Sequence, residues 1–200
     1  MIRVLVTGFE PFGGETVNPS AELVEALSAA PPPGIHLETG VLPVAYARSA
    51  DALRAVVHTS APDLAICFGQ AEGRTGISIE RFAHNLDGPD RPDNDGVSSG
   101  VEIDPDGPVA YRSTLPVAEI VAALHEEGIP AGESRDAGGF LCNHVFYVLM
   151  QTLERERPQA RGGFVHVPLL PEQALDADAA SMPLDVLVQA ARVAIAAAVS

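Results

Sequence analysis

Long apolar runs are missing from this chain of 200 residues. No stretch of about 18 apolar residues occurs, and Met1 is not followed by a basic segment with an apolar core, so neither a membrane span nor a secretory leader is expected. The expected location is the cytoplasm, with no membrane partner. Cysteine is scarce as well. Cys67 and Cys142 are the only two, far apart and without C-x-x-C spacing, which argues against a disulfide framework or a structural zinc site. Positive charge is the third shortage: 12 Lys+Arg against 27 Asp+Glu leave a formal charge of −15. Such a surface repels polyphosphate backbones and anionic lipid, so nucleic acid is not an expected partner. Histidines with metal-ligand spacing such as H-E-x-x-H are absent, which leaves metal catalysis without a basis. What the chain does have is a hydrophobic content of 46%. That is enough for one domain with a sizeable core and too little for two, so residues 1–200 are read as a single domain.

Ile2 to Val6 is a short, nearly all-apolar run, the pattern of a strand buried on both faces of a parallel sheet. The loop after it, TGFEPFGG, is rich in glycine, yet it matches neither phosphate-binding motif and carries two phenylalanines and a glutamate. Asn18 fits a helix N-cap with Pro19 at the first helical position, and Leu23, Val24 and Leu27 follow on one face. Leu37, Thr39 and Val41 alternate as a second strand, a helix follows from about Tyr46 to Ser60, and Leu64 to Phe68 is again continuous and apolar. Strand, helix, strand, helix, strand is the grammar of an α/β fold, an open, mostly parallel twisted sheet with helices on both faces. Ile77 and Ile79 alternate with Ser78 and Glu80, which sends the carboxylate to the face opposite the isoleucines.

From His84 to about Leu115 no periodicity emerges, and Asp, Asn, Gly and Pro crowd together, as in functional loops. Asp93, Asp95, Gly96 and Glu102 fall on calcium-loop positions, but Arg91 stands at the first ligand position and no helices flank the segment, so calcium is not expected. A helix around Ile120 to Leu124 ends near Gly128. Gly163 to Val167 reads as a strand with His166 at its end, and Ser181 with Pro183 opens a C-terminal helix.

The stretch Gly138 to Met150, GGFLCNHVFYVLM, carries the chemistry. Val145, Phe146, Val148 and Leu149 recur at helical spacing, which puts Cys142 at or just before the first turn. Unpaired N–H groups and the positive end of the macrodipole face a side chain there. A thiol of pKa ~8.5 can fall to roughly 3.5–7.5 in such surroundings, especially beside an imidazolium. The alternative for a lone cysteine is a small buried hydrophobe. A cysteine nucleophile needs a base, and His144 is the nearest histidine, but residues two apart on a helix do not face each other. His166, at a strand end, is the better candidate, with Glu80 able to orient its second nitrogen.

VTGFEPFGG with NPS (Val6 to Ser20), FGQAEGR with IERFAHN (Phe68 to Asn85), PDNDG (Pro92 to Gly96), GFLCNHVFY (Gly139 to Tyr147) and GFVHVPLLPEQ (Gly163 to Gln173) together resemble the pyroglutamyl peptidase I family, also called pyrrolidone-carboxylate peptidases. The match runs in order over nearly the whole chain. It implies an α/β/α sandwich, a Glu–Cys–His triad at Glu80, Cys142 and His166, no metal or cofactor, a cytoplasmic homotetramer, and removal of N-terminal pyroglutamate from peptides. Pyroglutamate is a lactam without a charged amine, so its pocket calls for apolar walls and a few amide-directed hydrogen bonds. On the resemblance, Phe9, Phe12, Phe140 and Leu141 supply the walls, and Asn18 and Gln70 the polar contacts. Two rival readings are a catalytically silent lactam-binding protein and a cysteine hydrolase of different acyl preference; the intact triad speaks against the first, and Phe9, Phe12 and Gln70 against the second.

One departure stands out. The family carries an arginine two residues ahead of the proline of Pro-Asp-Asn, implicated near the scissile carbonyl, whereas here Asp90 holds that place and Arg91 comes one later. Like charges about 4 Å apart repel by roughly 4 kcal/mol at an effective dielectric near 20, so an aspartate cannot face the oxyanion. The expectation is a one-residue loop adjustment that turns Asp90 away and brings Arg91 to the site.

Overall fold

A computed structural model describes residues 1–175 and 179–200 of the chain. In chain order the elements are β1 (Ile2–Phe9), α1 (Pro19–Ala29), β2 (Ile35–Leu42), α2 (Tyr46–Ser60), β3 (Leu64–Gln70), β4 (Ile77–Glu80), β5 (Phe82–His84), β6 (Ala110–Arg112), α3 (Val117–Glu126), β7 (Ala131–Ser134), α4 (Leu141–Glu156), β8 (Arg161–Val167) and α5 (Leu184–Val199). Six of the strands form one sheet in the order β2-β1-β3-β8-β4-β7. Strands β2, β1, β3 and β8 run parallel; β4 runs antiparallel to β8, and β7 runs parallel to β4.

The period-two alternation of the strands divides the core between the two faces. Val4, Val6, Ile66, Ile79 and Val165 pack under α1, α3 and α5, while Leu5, Ala65, Cys67 and Phe164 pack under α2 and α4. The result is the α/β/α sandwich that the sequence pattern predicts. Cys67 is the buried hydrophobe of the two cysteines: it is 1% exposed, and burial pushes its thiol up to about 12. Among the described residues no helix is long and apolar enough to cross a membrane.

Helix starts follow the local chemistry. Asn18 caps α1 by accepting from the Ser20 amide at 3.0 Å, and Pro19 occupies the first turn. Helix α2 has no cap of its own at Ala45. Its first amide, on Tyr46, instead donates to the distant Asp93 carboxylate at 2.9 Å. The other oxygen of Asp93 accepts from the amides of Asp95 and Val97 at 2.9 and 2.8 Å, so the acidic segment serves as a remote helix cap.

Three strands depart from the sequence reading. Ala110–Arg112, inside the stretch without periodicity, pairs antiparallel with Phe82–His84. Ala131–Ser134 extends the main sheet beside β4. All three are too short for a period to register, and AGES has no apolar alternation.

Candidate active site

Cys142 is the second residue of α4, whose N-cap position is held by Phe140 without a side-chain hydrogen bond. The first amide of the helix to find a carbonyl one turn back is that of His144, on Phe140 O at 3.2 Å. The amides before it face outward, the usual condition of a helix start. Gly138, with φ +79°, makes the left-handed turn that leads in. A second glycine makes room for the sulfur: a Cβ on Gly69 would stand 2.8 Å from Cys142 Sγ and 2.7 Å from Phe164 Cζ. The end of β3 therefore has to be glycine for the thiol to rest against it.

His166 arrives from β8, which lies beside β3 in the sheet. Across the antiparallel pair, Ser78 stands opposite His166 and Ile79 opposite Val165. Glu80 lies one pleat beyond Ser78 on the same face, within diagonal reach of the imidazole. Its Oε1 stands 2.8 Å from His166 Nδ1. The carboxylate is fully buried, at 0% exposure, and the histidine nearly so at 4%. Glu80 is thus not the solvated strand residue that its alternation alone would allow. Burial works against a charged imidazole, but the charge and hydrogen bond of Cys142, followed by those of Glu80, outweigh it and push the His166 pKa up to about 9. The carboxylate on Nδ1 and the nearby cysteine thus favour the charged form of the ring.

A cavity of about 260 Å³ opens above this group. Nine of the ten residues singled out in the sequence line it, and the tenth, Glu80, stands behind His166. Phe9, Phe12, Phe140 and Leu141 form apolar wall, with the Phe12 and Phe140 rings 6.0 Å apart. Tyr46 backs Phe140 edge-on at 6.0 Å. Phe9 and Leu141 belong at once to the core under α4 and to the cavity.

The polar lining is just as constrained. Asn18 uses Oδ1 as the α1 cap and donates Nδ2 to Glu10 O at 3.1 Å, so helix cap and cavity wall are one residue. Gln70 accepts on Oε1 from Gln173 Nε2 at 3.1 Å, and Gln173 is itself held by the Leu170 amide at 3.0 Å. This pairing leaves the amide nitrogen of Gln70 as the end available to the cavity. Arg91 lines the cavity with its guanidinium 4.7 Å above the Phe12 ring and 5.6 Å from that of Phe140, a cation–π geometry. Asp90 is exposed and not part of the lining.

Several residues that hold the site went unseen in the sequence. Glu10 Oε1 accepts from the Val44 amide at 2.9 Å and from Asn94 Nδ2 at 3.2 Å, tying the Phe9–Phe12 loop to the segment that carries Arg91. Asn143 bonds the backbone of His84 and Leu86. His144 places Nδ1 3.1 Å from both oxygens of the buried Asp87. Thus the two residues after Cys142 fasten the long loop to α4. Each of these contacts joins parts of the chain between 34 and 84 residues apart, which no local pattern announces.

A cysteine at a helix start, a histidine whose charged form is favoured and a buried carboxylate below an aromatic-walled cavity form an arrangement suited to acyl transfer. The sequence profile of the family described as pyroglutamyl peptidase matches residues 2–200. A pyrrolidone-carboxylate peptidase of Streptomyces coelicolor is 47% identical over 99% of this chain and 92% of its own length. That of Bacillus subtilis is 44% identical over 96% and 90%. Among solved structures, pyroglutamyl peptidase I of Bacillus amyloliquefaciens superposes with a TM-score of 0.95 at 44% identity, covering 99% of this chain and 97% of that one. The pyrrolidone carboxyl peptidase of Thermococcus litoralis superposes with a TM-score of 0.95 at 33% identity, covering 100% and 94%. With matches of this length and closeness, the chain belongs to the pyroglutamyl peptidase family.

Proposed function

We propose that this protein is a cysteine exopeptidase that removes N-terminal pyroglutamate from peptides through a thioester acyl-enzyme. The observation that carries the reading is the convergence of Cys142, His166 and Glu80 on one end of the aromatic-walled cavity. The Cys142 thiolate attacks the pyroglutamyl carbonyl, and the tetrahedral oxyanion is held by backbone N–H groups at the start of α4, that of Cys142 included. His166 gives its proton to the leaving amine, the C–N bond breaks, and a thioester remains. Water, deprotonated by the now neutral His166, attacks the thioester, the C–S bond breaks, and pyroglutamate leaves as the Cys142 thiolate and the protonated His166 are restored. Glu80 keeps the imidazole in the tautomer that points Nε2 at the chemistry.

Selectivity for the lactam follows from the lining. Among the described residues the one carboxylate in the lining, Glu72, is exposed, so a free N-terminal ammonium would find no buried partner among them and would enter at a desolvation cost. A neutral ring between Phe9, Phe12 and Phe140 has no such cost, and the Gln70 amide nitrogen offers a donor for its carbonyl. Arg91 supplies positive charge beside the scissile bond.

In the same reading residues 1–200 work as one catalytic domain, in the cytoplasm, as a homotetramer; the family resemblance supports the last two. Sedimentation of the purified protein tests the assembly. Turnover of a pyroglutamyl-coumarin amide beside prolyl and alanyl amides tests the activity. Hydrolysis of the pyroglutamyl compound alone is expected, and equal rates on all three would overturn the lactam specificity.

A further inference from the structure

The buried triad carries an imbalance of charge. In the reactive state of the proposed mechanism, which this inference presupposes, Cys142 and Glu80 each contribute a negative charge and His166 one positive charge. A cluster that is 0% exposed at Glu80 and 4% at His166 holds a net charge at a high desolvation cost unless a further cation faces it. One does. Arg74, on the connection between β3 and β4, places Nη2 3.5 Å from Glu80 Oε1. The same nitrogen donates to Ser134 Oγ at 3.2 Å and to Asp136 O at 3.1 Å, and Nη1 reaches Ser78 Oγ at 3.4 Å.

These contacts join two parts of the machinery. Asp136 accepts from the Gly138 amide on its own carboxylate at 2.8 Å, and Ala137 to Gly139 line the cavity on the way to Cys142. A single guanidinium therefore spans from the triad carboxylate to the chain that leads into the oxyanion-binding helix start. The other charged groups nearby are engaged elsewhere: Arg81, next to Glu80, turns to Glu133 at 2.7 Å, and Arg91 stacks on Phe12 across the cavity. Among the described residues the partners of Glu80 Oε1 are then His166 Nδ1 from β8, with Cys142 of α4 beyond it, and Arg74 Nη2, while Ser78, Ser134 and the Asp136 carbonyl hold the guanidinium itself.

We propose that Arg74 is a positioning residue for the reaction, holding Glu80 as the charged partner of His166 while fixing the Asp136–Gly139 segment. Its planar fork suits this double task better than an ammonium would. The side chain is 36% exposed, so its replacement is expected to leave the fold intact.

The test compares Arg74→Met, Arg74→Gln and Arg74→Lys with the unaltered protein in two profiles against pH: kcat/KM on pyroglutamyl-coumarin amide, and the rate of Cys142 alkylation by iodoacetamide without substrate. Met and Gln are expected to lower kcat by about tenfold with KM within about threefold. Both are expected to move the acid limb of both profiles upward by about one pH unit, because the buried carboxylate has lost one of its two cations. Lys keeps the acid limb and recovers part of kcat. Acid limbs unchanged in the Met and Gln variants, whatever the loss of rate, would overturn the proposal and leave Arg74 a structural residue. Should the unaltered protein fail on the pyroglutamyl amide, the functional reading falls while the alkylation profile still decides for or against Arg74.

Discussion

Replacing Glu80 by Gln isolates the charge of the triad acid, because the two side chains share a shape and the amide oxygen can still accept from His166 Nδ1. Glu80 Oε1 lies 2.8 Å from that nitrogen and the group is fully buried, so water cannot substitute for the lost charge. A hydrogen bond to a charged group contributes about 1.5–3 kcal/mol and a neutral one about 0.5–1.5, which puts the loss near 1–2 kcal/mol, or roughly 5–30-fold in kcat. KM should stay within about twofold, since Glu80 does not line the cavity. The pH dependence is more telling. The proton of His166 is the one given to the leaving amine, and a pKa raised to about 9 keeps the ring protonated up to that pH. Activity in the unaltered protein should therefore fall only as the pH rises through about 9. In Glu80→Gln one of the groups raising that pKa is gone, and the basic limb should come down by about one unit. Steady-state kinetics on the coumarin amide from pH 5 to pH 10 resolves both limbs. A variant with reduced kcat but an unmoved basic limb would refute the reasoning and make Glu80 a packing residue.

Cys142→Ser and Cys142→Ala should abolish turnover, whereas Cys67→Ala should keep it nearly intact; iodoacetamide should label Cys142 first, and labelling of the buried Cys67 at an equal rate would remove the assignment. Arg91→Ala should reduce kcat/KM by about tenfold or more, about 1.4 kcal/mol of transition-state binding, while Asp90→Ala should be mild; a damaging Asp90→Ala with a silent Arg91→Ala would reverse the assignment in this loop. Gln173→Ala frees the Gln70 amide to turn over, so KM for the pyroglutamyl amide should rise about 5–30-fold, the equivalent of about 1–2 kcal/mol of hydrogen bonding, with kcat within about threefold. An unchanged KM would mean that Gln70 is held without Gln173.

The candidate trio of Cys142, His166 and Glu80 is legible in the sequence because each member sits where a local pattern fixes its direction. Helical spacing after Cys142 dates the helix start, alternation puts His166 and Phe164 on one face of β8, and the same alternation sets Glu80 opposite Ile77 and Ile79. What the pattern left open was depth. Glu80 is buried because β4 turns antiparallel to β8, a pairing between segments 86 residues apart that only the tertiary fold decides. The same holds for Asp93 as the cap of α2 and for Asp87 with His144. The expectation for Arg91 rests on the family resemblance and on charge repulsion at Asp90 rather than on any period; its guanidinium lies over Phe12 in the cavity lining. Strand β7 was missed since AGES offers no apolar face; its place comes from pairing with β4 alone.

The most direct test of the account is to catch the acyl-enzyme. Mixing the protein with a pyroglutamyl ester, quenching in acid within the first turnover and analysing the digested chain by mass spectrometry reports which side chain carries the acyl group. The account predicts one pyroglutamyl group per active site, on the peptide that contains Cys142 and absent from the peptide that contains Cys67, with no adduct in Cys142→Ala. An ester consumed with Cys142 unmodified, or an adduct on another residue, would contradict it.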